Sequence, residues 1–281
     1  MIKGLSFYLV RNLFYTQAAL PNKIIGQLRV WATAYSRTKK SGVSGKLDIR
    51  SQTKAFWENG YLCVENFFDP QLMDSFQTQI ADHFTRNPEF VHQSEFLDKS
   101  KTDVIPWFPQ REGAKIFDSV DSDLRLHQLT DSILGEGWSS LYCMVMYSRA
   151  GSQGQAWHQD CPPEDPRQFN LNRLVYTMDM DSGNGGEVVL VPGTHRGGAI
   201  PAGDGTEHLA HQVVLRPQKG SLLLLHGHLW HRVLPVKGNY RVSTNYRCCP
   251  AGVAESVTDT CVYRNMRYHF PSERIVEDRL A

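Results

Sequence analysis

From about residue 140 onward the chain repeats one pattern: runs of seven to nine residues dense in Val, Leu, Tyr and Met, each broken by Gly, Pro, Asn or Asp. The runs are "SLYCMVMYS", "RLVYTMDM", "EVVLVPG", "HQVVLRP", "GSLLLLH" and "YRVSTNYRC". Residues of this type at this length suit pleated strands, and the breakers between them suit tight turns. No helical period separates the runs, which favours a β-sandwich or jelly roll.

Helices are expected upstream instead. "QTKAFWENGYLCVENFF" reads as a helix stopped near Gly60 and followed by a short strand. "DPQLMDSFQTQIADHF" reads as a second helix, with Asp69 as its N-cap and Pro70 at its first position. Met73, Phe76, Ile80 and Phe84 fall on one face of it as a core stripe.

Residues 1–50 differ in charge from everything after them. They carry nine Lys or Arg against the single acid Asp48, whereas the whole chain of 281 residues has a net charge of only +1. With the basic charge confined to the extension, no overall field recommends nucleic acid as a partner. Ile24, Leu28, Trp31 and Tyr35 share one helix face. A basic helical extension and linker over 1–50 is therefore expected, ahead of a jelly-roll domain over 51–281. The commoner use of such a segment is to pack on its own domain or a second subunit; the alternative is peripheral contact of residues 1–40 with an anionic membrane. Six cysteines without CxxC or framework spacing, and no apolar run of membrane-spanning length, point to a reduced cytoplasmic protein, peripheral to a membrane in that alternative.

Chemistry is concentrated in the strand-rich half. Seven of the eleven histidines lie between residues 158 and 231. In "WHQD" a strand would point His158 and Asp160 to one face and Gln159 to the other. Pro162 and Pro163 then end the ladder, leaving the pair at a strand terminus open to an ion and a substrate. A third ligand is available in "LLLLHGHLWHRV", where His226, His228 and His231 compete. Two histidines and a carboxylate form the facial set of non-haem Fe(II) oxygenases, which leaves coordination positions open. In "YRVSTNYR" the same alternation places Arg241, Ser243, Asn245 and Arg247 on one face. That face suits either solvent or a lumen holding an anionic ligand, for which a planar guanidinium provides a bidentate grip.

Taken in order, "WHQD", "NGGEVVLVPGTH", "KGSLLLLHGHLWH" and "RVS" resemble the phytanoyl-CoA dioxygenase-like branch of the Fe(II)- and 2-oxoglutarate-dependent dioxygenases. The resemblance implies a mainly β fold with flanking helices around a double-stranded β-helix, the cupin-like jelly roll. It implies His158, Asp160 and His231 as ligands of Fe(II), and Arg241 with Ser243 as the clamp on the distal carboxylate of 2-oxoglutarate. Tyr142 and Met146 occupy the strand from which such proteins contact the cosubstrate. The activity implied is hydroxylation of an aliphatic C–H bond in a small acyl, amphipathic or secondary-metabolite substrate, with O2 consumed and succinate and CO2 released. Because Asp160 is present, the site resembles a hydroxylase and not a halogenase. Candidate substrate contacts are Arg247, Trp107 and Arg173. The alternatives are a non-catalytic ligand-binding jelly roll, and a membrane-associated oxygenase acting on a lipid-like substrate. A zinc hydrolase is disfavoured, since neither HExxH nor GxSxG occurs.

Overall fold

The computed structural model describes residues 48–86, Phe90 and 92–270. The basic extension expected over 1–50 lies outside the described residues except for its last three. Four helices and twelve strands are used below. Helix α1 is Ile49–Asn59, followed by strand β1 (Tyr61–Val64), helices α2 (Pro70–Arg86) and α3 (Ser94–Ser100), strand β2 (Ile105–Trp107) and helix α4 (Leu124–Leu134). Strands β3 (Ser139–Arg149), β4 (Gln155–Gln159), β5 (Leu171–Val175), β6 (Val188–Leu190), β7 (Val213–Leu215) and β8 (Leu222–His226) come next. Strands β9 (His231–Val233), β10 (Tyr240–Cys249), β11 (Thr260–Tyr263) and β12 (Met266–His269) complete the series.

The strands form two six-stranded sheets, ordered β1-β8-β5-β10-β3-β2 and β12-β11-β4-β9-β6-β7. All of their pairings are antiparallel. This is the expected double-sheet jelly roll with flanking helices.

The first sheet is covered on both faces. Leu222 and Leu224 of β8 pack with the helical residues Phe56, Met73, Phe76 and Leu129, whereas Leu223 and Leu225 pack with Val188 and Leu190 of the second sheet. Burial on two sides explains why "LLLLH" is a continuous apolar run instead of an alternating one. The stripe Met73, Phe76, Ile80 and Phe84 is buried on α2, as its spacing predicts.

Local signals set the helix ends. The Asp69 carboxylate accepts from the amides of Gln71 (2.8 Å) and Leu72 (3.3 Å) ahead of α2. Gly60 closes α1 in the left-handed region at φ 80°, its amide donating to Phe56 O. The run "RLVYTMDM" is strand only as far as Val175. Beyond it the Met180 amide bonds to Pro217 O, in the segment that precedes β8.

Strand β4 lies between β9 and β11, so the segment that carries "WHQ" is interior to its sheet. Among the described residues no helix is long and apolar enough to cross a membrane.

Candidate metal centre

The alternation of β4 and the register of its ladder with β9 build the centre. His158 stands directly opposite His231, with ring centroids 4.1 Å apart. The strand ends at Gln159, whose amide turns away to donate to the carbonyls of His228 (2.8 Å) and Gly198 (3.1 Å). Asp160, one residue past the strand, is fixed by its own amide donating to Gly227 O (2.7 Å). One donor atom from each of His158, Asp160 and His231 lies within 4.8 Å of the others, and all three residues are buried. Among the described residues no other group of His, Cys, Asp or Glu converges in this way.

Tautomer and charge suit the three to a cation. His158 Nδ1 donates to Ala156 O (2.8 Å) and His231 Nδ1 to Leu229 O (2.8 Å), which directs both Nε2 lone pairs toward Asp160. Burial pushes the His158 pKa down to about 3, and the neighbouring His231 adds to this, so the ring is neutral and able to ligate. For Asp160 burial acts upward, but Arg247, His231, His158 and the hydrogen bond from Asn172 overcome it and hold the carboxyl below its usual range.

The competing histidines belong elsewhere. His226, at the end of β8 in the other sheet, stacks on Phe169 at 4.2 Å between ring centroids and takes the His228 amide on Nδ1 (3.1 Å). His228 Nε2 donates to Gln168 O (3.0 Å), and His195 lies 5.1 Å from His226 between ring centroids. These three imidazoles fill a packed aromatic cluster with Trp57 and Phe169.

Between the sheets lies a cleft that is partly open to solvent. Its lining includes the three residues of the centre, Asn172, Arg241, Asn245 and Arg247, with Met146, Leu174, Val188, Leu225 and Val233 supplying apolar wall. The inner face expected for β10 is therefore a lumen and not a solvated surface. Arg241 is buried, and its Nε donates to Gly186 O (2.8 Å). Among the described residues no carboxylate pairs with it, and burial lowers its pKa while the nearby Tyr176 hydroxyl favours its charge. The Ser243 hydroxyl, two residues along, is buried without a hydrogen-bond partner. A chain does not ordinarily bury a guanidinium without an anionic partner, or a hydroxyl without any partner, unless a ligand completes them.

The other expected contacts divide. Met146 lines the cleft, whereas Tyr142 on the same strand carries the Arg247 guanidinium over its ring at 5.6 Å. Trp107 and Arg173 are not among the residues that line the cleft. Trp107 is buried between His83, Phe84 and Phe117. Alternation along β5 turns Arg173 toward the helices, where it donates to Tyr246 O (2.7 Å) and Asp121 (3.2 Å). Arg247 does line the cleft, but it is directed inward to Asp160, with Nη2 to Oδ1 at 3.1 Å, and not out toward a substrate. Sequence reading missed Asn172, whose Nδ2 donates to Asp160 Oδ2 (2.8 Å). An Asn among the buried residues of the five-residue strand LNRLV was the available signal, since strands disfavour it.

The model of the phytanoyl-CoA dioxygenase family, PhyH, matches residues 56–240, about two thirds of the chain, and takes in all three residues of the centre. The chain belongs to the phytanoyl-CoA dioxygenase family. No curated protein sequence matches it. Among solved structures, HygX from Streptomyces hygroscopicus with nickel and 2-oxoglutarate bound is similar at a TM-score of 0.60 and 17% identity, covering 73% of this chain and 88% of that one. The 2-oxoglutarate-dependent epimerase SnoN from nogalamycin biosynthesis is similar at a TM-score of 0.56 and 16% identity, covering 80% and 86%. At such identity both likenesses show the fold. For this phytanoyl-CoA dioxygenase relative the family match ends at residue 240, so Arg241, Ser243 and the β11–β12 hairpin lie beyond it.

Proposed function

We propose that the protein is an Fe(II)- and 2-oxoglutarate-dependent oxygenase that hydroxylates an aliphatic C–H bond of a small molecule. The observation that carries this reading is Arg241: a buried cation with no carboxylate partner among the described residues, in the same cleft as two histidines and a carboxylate poised for a metal. His158, Asp160 and His231 would hold Fe(II), a donor set that fits this ion and leaves positions open. Arg241 and Ser243 would hold the distal carboxylate of 2-oxoglutarate, with Met146 alongside.

Bound there, iron and the keto acid supply the oxidising chemistry, with O2 consumed and succinate and CO2 released. The chain's own residues place and protect the reactants. The carbonyls of Ala156 and Leu229 fix both imidazoles, and Asn172 fixes one side of the carboxylate. Leu174, Val188, Leu225 and Val233 give the cleft an apolar wall against which a C–H bond could be held. HygX has been solved with hygromycin B and SnoN with nogalamycin RO, which supports a small organic molecule as substrate here too.

An anaerobic titration of Fe(II)-loaded protein with 2-oxoglutarate tests the reading. A weak visible charge-transfer band is expected, absent in H158A, and R241A should need at least tenfold more 2-oxoglutarate to develop it. A folded protein without the band, and without succinate release in air, would refute the assignment. An epimerised product would retain the cofactors and replace hydroxylation as the outcome.

A further inference from the structure

Arg247 is not required by the reading above, yet it is the most heavily engaged cation in the cleft. Its Nη2 lies 3.1 Å from Asp160 Oδ1 and its Nε donates to Asn172 Oδ1 (2.9 Å). Asn172 Nδ2 donates to the other carboxylate oxygen, and Asn245 Nδ2 donates to Asn172 Oδ1 (2.8 Å), which fixes the amide's orientation. All four side chains are buried. Asp160 is tied down independently of Arg247: its amide bonds to Gly227 O and its carbonyl accepts from Asn170 Nδ2 (3.1 Å). Orientation of the ligand carboxylate is thus secured by Asn172 and the backbone, and what Arg247 adds is chiefly charge.

That charge is of the wrong sign for a metal site. A guanidinium already neutralises the one anionic ligand, and Arg241 puts a second cation into the same cleft. A divalent cation arriving alone meets a carboxylate that is already paired and a buried field that repels it; at low effective dielectric such terms outweigh a single hydrogen bond. A dianion entering with the metal reverses the balance.

We propose that Arg247 makes metal and dianionic cosubstrate binding cooperative, weakening the site for a bare divalent cation and restoring affinity when 2-oxoglutarate enters with it. The proposal rests on the cosubstrate reading above and adds to it the residue that couples the two ligands. Coupling of this kind is reciprocal: whatever 2-oxoglutarate does to metal affinity, the metal does to 2-oxoglutarate affinity.

The test is a calorimetric titration with Mn(II), which does not oxidise under these conditions, with and without 2-oxoglutarate. The proteins are the wild type, R247M, R247Q and R247K. The glutamine variant puts an amide donor where Arg247 Nε stands, toward Asn172 Oδ1, so it removes the charge while sparing that hydrogen bond if methionine disturbs folding. R247M or R247Q should bind Mn(II) alone at least tenfold more tightly than wild type, and the factor by which 2-oxoglutarate tightens Mn(II) should fall at least tenfold. R247K should keep the weak binding and the large factor. A merely structural arginine cannot produce tighter metal binding on removal. Equal or weaker Mn(II) binding by the neutral variants, or a lysine variant that behaves like them, would overturn the proposal. Failure of the underlying reading looks different: wild-type protein would then bind Mn(II) with no response to 2-oxoglutarate, while the Mn(II)-only comparison would still report on the charge at position 247.

Discussion

His158 and His231 present the same nitrogen to the cleft because each commits its other nitrogen to a carbonyl two residues behind it. A strand end makes this arrangement available, whereas His226, in the other sheet, lends its Nδ1 to a backbone amide and its ring to Phe169. H231A should therefore abolish high-affinity Fe(II) binding. H226A and H228A should retain it and lose stability instead, by about 1–3 kcal/mol, as buried rings that leave space and unpaired groups. Metal titration beside thermal melts separates the two, and the opposite pattern would move the third ligand to the β8 end. The "WHQD" half of the centre was legible because period-2 alternation needs no knowledge of the partner strand. Alternation did not choose among the three nearby histidines, since that depends on which sheet each one joins; the family resemblance supplied His231. Arg173 and Arg247 show the same limit, because alternation gives the face of a strand but not the acid that waits there: Asp121 for one and Asp160 for the other.

Among the elements, α1 and the sheets meet at a point of close contact. Gly60 ends the helix with positive φ, and a β-carbon there would press on His195 and Leu229. Leu229 is also the residue whose carbonyl orients His231. G60A should lower stability by roughly 1–3 kcal/mol through left-handed strain and this clash, and should weaken Fe(II) binding as well. Denaturant unfolding and metal titration check the pair; lost stability with metal affinity unchanged would show that the helix end and the centre are independent. Most elements were legible where a residue type enforces geometry, as with Asp69, Pro70 and Gly60. The three-residue strands β2 and β9 were not, because they lack the apolar Val and Leu run that marks β6 and β7 and are defined by their neighbours' hydrogen bonds.

For the whole molecule, buried imidazoles tie stability to pH. Burial, with neighbouring imidazoles adding to it, holds His226 well below its ordinary value and His158 at about 3, whereas in the unfolded chain both protonate near 6.5. Between 6.5 and those lower values the unfolded state binds more protons, so stability rises with pH. Each such group contributes up to about 1.4 kcal/mol per pH unit. Metal-free protein should thus lose melting temperature progressively from pH 6.5 toward pH 5. H226F should flatten that slope; a slope unchanged in this variant would place the dependence on other groups.

Strand β4 is stabilised by β9 on one side and β11 on the other, and β11 begins about a hundred residues later in the chain. A ribosome adding roughly 5–20 residues per second takes about 5–20 seconds to cover that interval. During that time the segment bearing His158 is an unprotected strand with free amides and carbonyls on its exposed edge. Until the late hairpin has emerged β4 lacks its partner on that side, and the same interval is when this stretch is most open to pairing with another copy of itself.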